Sequence, residues 1–261
     1  MIRKPLTAQF VRDVKLRLLK MHYDAGVGHI GGNLSAIDIL LCLHHQVMEA
    51  ADSFVLSKGH AAGAMYVTLW SLGEISEEEL SSFHKDGTRL SGHPPVGAIP
   101  SILFTTGSLG HGPGLAAGLA LAKRFRGQSG HVFCLTSDGE WNEGSSWEGL
   151  IFAKHQRLDH LTIIVDLNGL QGFGTTKEVA DLEPLADKFR AFGLPTCEVD
   201  GHDLTALSAA LQPRADQPGP RVVVAKTRKG CGISFMEGKM EWHYLPLSAA
   251  QYATAIEQIQ A

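Results

Sequence analysis

Asp138 and Asn168 stand thirty positions apart, and each lies just beyond an apolar run. His131-Val132-Phe133-Cys134-Leu135-Thr136 leads into Ser137-Asp138-Gly139-Glu140, and Leu161-Thr162-Ile163-Ile164-Val165 leads into Asp166-Leu167-Asn168-Gly169-Leu170. A carboxylate and an amide oxygen delivered in this way are hard ligands, suited to octahedral Mg2+ or to Ca2+, and such a metal can in turn hold a diphosphate. Gly139 beside the carboxylate allows backbone to approach a ligand closely.

The elements that must deliver these groups are legible as well. The two apolar runs predict parallel strands, and residues 144–158 between them predict a helix. That is a βαβ unit with both groups at the carboxyl edge, where open α/β sheets bind ligands. Residues 5–25 predict an amphipathic helix with Phe10, Val11, Val14, Leu18 and Leu19 on one face. A glycine-rich loop follows, then a helix over 35–47 whose Ser35 and Asp38 resemble a capping box. A strand is expected over 50–56 and a small-residue-rich buried helix over 60–72. Ser76 opens a helix with three glutamates in its first turn, and Gly112-Pro113 opens another with proline in its first turn. Strands over 196–199 and 221–225 and a last helix over 248–259 complete the reading. Helices alternate with strands, which predicts α/β architecture, a doubly wound parallel sheet with helices on both faces, in one domain over 1–261.

Composition narrows the partners. Lys and Arg number 23 against 27 Asp and Glu, a net charge of −4, and no basic run is present. Nucleic acid and anionic membrane surfaces are poor candidates on that balance. No apolar segment approaches the roughly 20 residues that span a bilayer. The start of the chain leads into an amphipathic helix rather than a signal peptide. Cys42, Cys134, Cys197 and Cys231 are widely spaced with no CxxC, so reduced thiols and a cytoplasmic location are expected. Of thirteen histidines, His22, His44, His45, His84, His155 and His160 read as ordinary surface or core residues.

The remaining motifs bear a family resemblance. Asp138-Gly139 with Asn168 resembles the thiamine diphosphate fingerprint Gly-Asp-Gly…Asn, with Ser137 in place of the first glycine. Phe54-Val55-Leu56-Ser57-Lys58-Gly59-His60, Ser91-Gly92-His93-Pro94, Thr105-Thr106-Gly107-Ser108-Leu109-Gly110 and the spacing of Glu143 and Glu148 resemble the amino-terminal half of transketolase, in order and over nearly the whole chain. The resemblance implies Mg2+ (or Ca2+) held by Asp138, Asn168 and the backbone carbonyl of Leu170, with the diphosphate of thiamine diphosphate as a further ligand. It implies that Gly139 and Glu140 adjoin the cofactor, that Gly107 and Leu109 line its pocket, and that His60 and His243 help to hold it. His29, in Gly28-His29-Ile30-Gly31-Gly32, and His93 would face the donor sugar, and His243 is grouped with them as a catalytic candidate. Imidazole suits that work because it donates or accepts near neutral pH. His111 replaces a family glutamine beside the cofactor. Glu143 and Glu148 resemble a pair that forms an acidic network across a subunit interface, and Trp141 and Trp147 suggest that their segment is covered.

In transketolases the cofactor-activating glutamate, the pyrimidine pocket and the residues that grip the sugar phosphate belong to a second domain. The sequence ends at Ala261, so that domain is expected on a partner chain, in an α2β2 assembly that transfers a two-carbon ketol unit between sugar phosphates. Two alternatives stand beside this reading. Asn142-Glu143-Gly144 resembles a motif of the E1 α-chain of 2-oxo acid dehydrogenases, although the four histidines and the Phe54 to His60 block favour transketolase. A non-catalytic interaction module of the same fold is the other, opposed by the retention of Asp138, Asn168 and His60. A nucleotide-binding Rossmann domain lacks its GxGxxG. Pentose phosphates are the default sugars, and branched or deoxy sugar phosphates are equally compatible.

Overall fold

The structure, a computed structural model, describes residues 2–214 and 219–261. Its centre is a five-stranded, all-parallel sheet of β1 (Ser53–Leu56), β2 (Val132–Ser137), β3 (Leu161–Leu167), β4 (Thr196–Asp200) and β5 (Arg221–Lys226), in the order β1-β2-β3-β5-β4. Ten α-helices are described: α1 (Ala8–Ala25), α2 (Ile30–Cys42), α3 (Ala62–Ser71), α4 (Glu77–Leu80), α5 (Gly112–Phe125), α6 (Gly144–His155), α7 (Thr176–Ala180), α8 (Leu185–Ala191), α9 (Leu204–Leu211) and α10 (Ala249–Gln260).

The inner strands read as continuous apolar runs because both of their faces are covered. Alternate side chains enter two cores. Phe54, Phe133, Leu135, Ile164, Val223 and Ala225 pack with α1, α2, α3 and α9, whereas Val55, Val132, Cys134, Ile163, Val165, Val222 and Val224 pack with α5, α6 and α8. The predicted doubly wound sheet is therefore present, with β2-α6-β3 as its central βαβ unit. The β4 edge is more exposed and carries charge, with Glu198 paired to Arg190 and Lys226, which discourages pairing with another chain.

Several expected boundaries follow local signals closely. Thr7 Oγ1 caps α1 and Gly26 closes it in the left-handed conformation at φ 63°. Pro113 lies in the first turn of α5, and Ser248 with Gln251 forms a capping box on α10. The helix expected over 35–47 is different. It begins at Ile30, so Gly31 and Gly32 lie inside it, and five residues of π-helix, Leu43–Val47, follow its end. A Cβ on Gly31 would stand 3.1 Å from both Lys229 Cγ and Trp242 Cβ; close packing, not a loop, explains that glycine. Ser35 and Asp38 consequently form no capping box. Ser35 Oγ donates to Asp166 at 2.7 Å, and Asp38 pairs with Lys15 and His202.

Candidate active site

The carboxyl ends of β1, β2, β3 and β5 meet at one cavity of about 270 Å3. His60 comes from the segment after β1, Ser137, Asp138 and Gly139 from the end of β2, Asn168 and Leu170 from the segment after β3, and Lys229 from the segment after β5. Residue pairing between β2 and β3 places Ser137 opposite Asp166, so residues thirty apart in sequence become neighbours. His29, His93, His243, Gly107 and Leu109 complete the predicted part of the lining, and Gln171, Gly172, Phe173 and Tyr244 add to it.

Asp138 is buried, and its carboxylate accepts backbone N–H bonds from Gly139 at 2.7 Å, Asn168 at 3.0 Å and Gly169 at 2.6 Å. Burial and the nearby charge of Asp166 nevertheless push its pKa up to about 6. This is the expected signature of a carboxylate deprived of water and short of positive charge. Asn168 Oδ1 accepts from Leu170 N at 3.1 Å. Ser137 Oγ is buried in the lining with no hydrogen-bond partner among the described residues.

The four singled-out histidines converge. His29 lies with its ring centroid 5.8 Å from that of His60, 6.0 Å from His93 and 5.1 Å from His243, and His60 and His243 are 5.4 Å apart. Burial is the chief cause in lowering the pKa of each, helped by neighbouring positive groups; His243 falls to about 3. They are therefore neutral at pH 7, each able to donate from one nitrogen and accept at the other. Among the described residues no three His, Cys, Asp or Glu side chains are arranged to hold a metal ion.

Asn33, unremarkable in the sequence, holds this arrangement together. Its Nδ2 donates to His29 O at 2.7 Å and His60 O at 3.2 Å, while its Oδ1 accepts from Ala64 N at 2.6 Å. His29 itself sits in the left-handed region at φ 64°, a conformation uncommon for a side-chain-bearing residue and frequent at functional sites. Its N–H donates to His243 O at 3.2 Å.

Neither type nor motif marks Lys229. It is buried, its Nζ is 3.1 Å from His243 Nδ1, and it donates to Gln171 O at 3.4 Å and Leu170 O at 3.5 Å. Burial and the charge of Lys58 bring its pKa down to about 8. Because Lys229 in turn helps to depress His243, Lys229→Met should raise the His243 pKa towards its ordinary value. NMR titration of the ring protons checks this; an unmoved His243 would show that burial alone sets it.

Other expected residues lie elsewhere. Glu140 is fully buried behind the cavity, accepting from Ser57 Oγ and, at 2.9 Å, from Gly110 N; it ties the segment after β1 to the 107–110 turn and is not in the lining. His111 is exposed, with Nδ1 3.1 Å from Leu109 O, and does not reach the cavity. Glu143 and Glu148 are both exposed. The two neighbouring tryptophans pack within the chain. Trp141 and Trp147 lie 4.9 Å apart, and both contact Phe189.

The model of the family described as "Transketolase, thiamine diphosphate binding domain" matches residues 8–259. The chain belongs to the transketolase family. It is 37% identical over 255 residues to an apulose-4-phosphate transketolase subunit of Actinobacillus succinogenes, covering 94% of this chain and 92% of that one. It is also 37% identical over 245 residues to the 6-deoxy-6-sulfo-D-fructose transketolase subunit SqwG of a Clostridium species, covering 90% and 89%. Among solved structures, transketolase from Campylobacter jejuni superposes with a TM-score of 0.88 at 28% identity over 97% of this chain, and that from Leishmania mexicana with 0.89 at 27% over 99%. This transketolase chain spans 43% and 42% of those two longer chains. The dehydrogenase reading is set aside on these relatives.

Proposed function

We propose that this transketolase chain binds the metal–diphosphate end of thiamine diphosphate and that a partner chain completes the site. The observation that carries the reading is the convergence, at four strand ends, of Asp138, Asn168, Lys229 and four neutral histidines around the unpartnered Ser137 hydroxyl. The residues fit the cofactor's polar end. Asp138, Asn168 Oδ1 and Leu170 O are hard oxygen donors suited to Mg2+, and Lys229 and His243 offer N–H donors for diphosphate oxygens. A cation beside Asp138 would also relieve the repulsion between Asp138 and Asp166.

When bound, thiamine diphosphate supplies the carbanion chemistry that breaks and re-forms a bond beside a ketose carbonyl. The chain's own residues position and exchange protons. His60 and His243 orient the cofactor. His29 and His93, neutral near pH 7, hydrogen-bond the ketose carbonyl and hydroxyl oxygens and move protons to and from them. The substrate is an anionic ketose, since the relatives act, by name, on a sugar phosphate and a sulfo-sugar. Among the described residues Lys229 is the one Lys or Arg in the cavity lining and is committed to the diphosphate, so the anionic tail is gripped by the partner, which also brings the activating glutamate. Three relatives that cover 90% or more of this chain are named as transketolase subunits rather than whole transketolases. That supports a two-chain enzyme, and α2β2 is the simplest assembly that forms two such shared sites. Four free cysteines suit the reducing cytoplasm.

Calorimetric titration of thiamine diphosphate with Mg2+ tests the reading. Tight binding is expected to the mixture of this chain with its partner, weak or none to the chain alone, and loss in Asp138→Ala. No binding by a well-formed complex would overturn it.

A further inference from the structure

The hydroxyls at the carboxyl edge of the sheet fall into two kinds. Ser35 Oγ donates to Asp166, Ser57 Oγ to Glu140, Thr136 Oγ1 to Ile164 O and Thr227 Oγ1 to Asp166. Each of these is buried or half-buried and finds its acceptor within the chain. Ser137 does not. Its surface is 5% exposed, and its Oγ has no hydrogen-bond partner among the described residues. A buried hydroxyl in that state carries a desolvation cost with nothing to offset it.

Direction and space decide what answers it. Successive strand residues face opposite ways. Thr136 turns towards Trp141 and accepts from its Nε1 at 3.2 Å. Ser137 follows Leu135 onto the face that α2 covers, and there it lines the cavity of about 270 Å3. Thr106 Oγ1 is also buried without a partner among the described residues, but the cavity that Thr106 lines is about 10 Å3, room for one water. The space before Ser137 is far larger and is furnished for an anion. His60, His243 and Lys229 share its lining, with Gly32 from the first turn of α2, where the helix dipole favours negative charge. A cation there already has three hard oxygens in Asp138, Asn168 Oδ1 and Leu170 O, and Mg2+ keeps its other positions for phosphate oxygens and water. The hydroxyl is therefore a donor rather than a fourth protein ligand.

We propose that Ser137 Oγ–H donates to an oxygen of the metal-held diphosphate. The proposal rests on the cofactor reading above and adds to it. Where the fingerprint has glycine there is no side chain to donate, so this chain holds the diphosphate with one hydrogen bond more than Gly-Asp-Gly supplies.

The test is calorimetric titration of thiamine diphosphate with Mg2+ into the complex of this chain with its partner, for the parent, Ser137→Ala and Asp138→Ala. Ser137→Ala should bind about tenfold more weakly or worse, as loss of a hydrogen bond to a charged group does. Inorganic pyrophosphate with Mg2+, used to displace thiamine diphosphate, should lose affinity by the same factor, because the hydroxyl reads the diphosphate and not the rest of the cofactor. In urea unfolding of the metal-free chain, Ser137→Ala should be at least as stable as the parent, which a hydroxyl serving the fold would not allow. Unchanged affinity in Ser137→Ala, with binding lost in Asp138→Ala, would overturn this proposal and leave the cofactor reading standing; water would then be the hydroxyl's partner. A loss for thiamine diphosphate without one for pyrophosphate, or a lower urea midpoint in the variant, would overturn it as well. No binding by the parent complex would overturn the cofactor reading and this proposal with it.

Discussion

Exchanging Asp138 for asparagine should make the metal-free chain more stable at pH 7 while leaving the assembled enzyme inactive. The two effects have one cause. Asp138 is held as a buried carboxylate near Asp166, with its pKa raised from 3.8 to about 6. A carboxyl whose folded pKa is raised favours the fold most below its unfolded pKa, and that contribution is lost as pH rises through the folded value. The ionised group therefore costs the metal-free fold about 3 kcal/mol at pH 7, from roughly two pKa units. The asparagine side chain keeps one acceptor oxygen for the Asn168 and Gly169 N–H groups and carries no charge.

Urea denaturation of both proteins without metal should thus favour the variant by up to about 3 kcal/mol at pH 7, with the gap closing towards pH 4. The comparison must be made between variant and parent. His22 and His44, lowered by burial to about 4 and about 3, destabilise both proteins as pH falls below 6.5 and cancel in the difference. Activity should fall by more than about a hundredfold, because loss of groups that merely support metal ligands already costs 10–100-fold. A variant less stable than its parent at pH 7 would mean that the three N–H bonds to Asp138 outweigh its burial. A variant that kept its activity would remove Asp138 from the metal and favour the non-catalytic reading.

Much of this site was legible because strand and chemistry are contiguous. β2 and β3 are apolar runs that end in the residues they deliver, and neighbouring parallel strands with an intervening helix place those ends side by side. The histidines were found through the motifs around them. What was missed is tertiary. Asn33 looks like any polar residue near a helix start, and its role exists only because His29, His60 and Ala64 surround it. Lys58 and Lys229 read as surface lysines by type. The available signal was position, since each follows a largely buried strand at the carboxyl edge, where a charge must be paired or functional. Ser35 and Asp38 misled because a capping box is only a four-residue pattern, and the same two residues can serve contacts across the fold. Trp141 and Trp147 likewise have a partner that the sequence does not announce: Phe189, far along the chain, packs against both.

The second large effect lies beneath the cavity. Lys58 and Asp166 form an ion pair in which neither side chain is exposed. Asp166 also accepts from Ser35 Oγ at 2.7 Å and from Thr227 Oγ1, and Lys58 Nζ donates to Gly32 O at 3.3 Å. The segments after β1 and β5, the end of β3 and helix α2 are thereby pinned at one point. Burial alone would raise the Asp166 pKa, but Lys58, Thr227 and Ser35 reverse it and hold the carboxyl below its ordinary value. Its stability contribution is accordingly present at neutral pH and lost in acid, opposite to that of Asp138. Asp166→Ala strands the Lys58 ammonium and should cost about 3–5 kcal/mol in denaturant unfolding, as broken buried pairs do. Lys58→Met should cost a similar amount by stranding the carboxylate. The double variant Lys58→Met, Asp166→Leu should be less destabilised than the sum of the singles, because no charge is left unpaired. It should still fall short of the parent, since the Thr227 hydroxyl loses its acceptor at about 1–3 kcal/mol and Ser35 Oγ is left with Gly32 O alone. Additive singles would show that the two residues act independently, and the pair would then be no more than a contact. Strong coupling would make it the joint that sets the distance between Asp138 and the histidine side of the cavity.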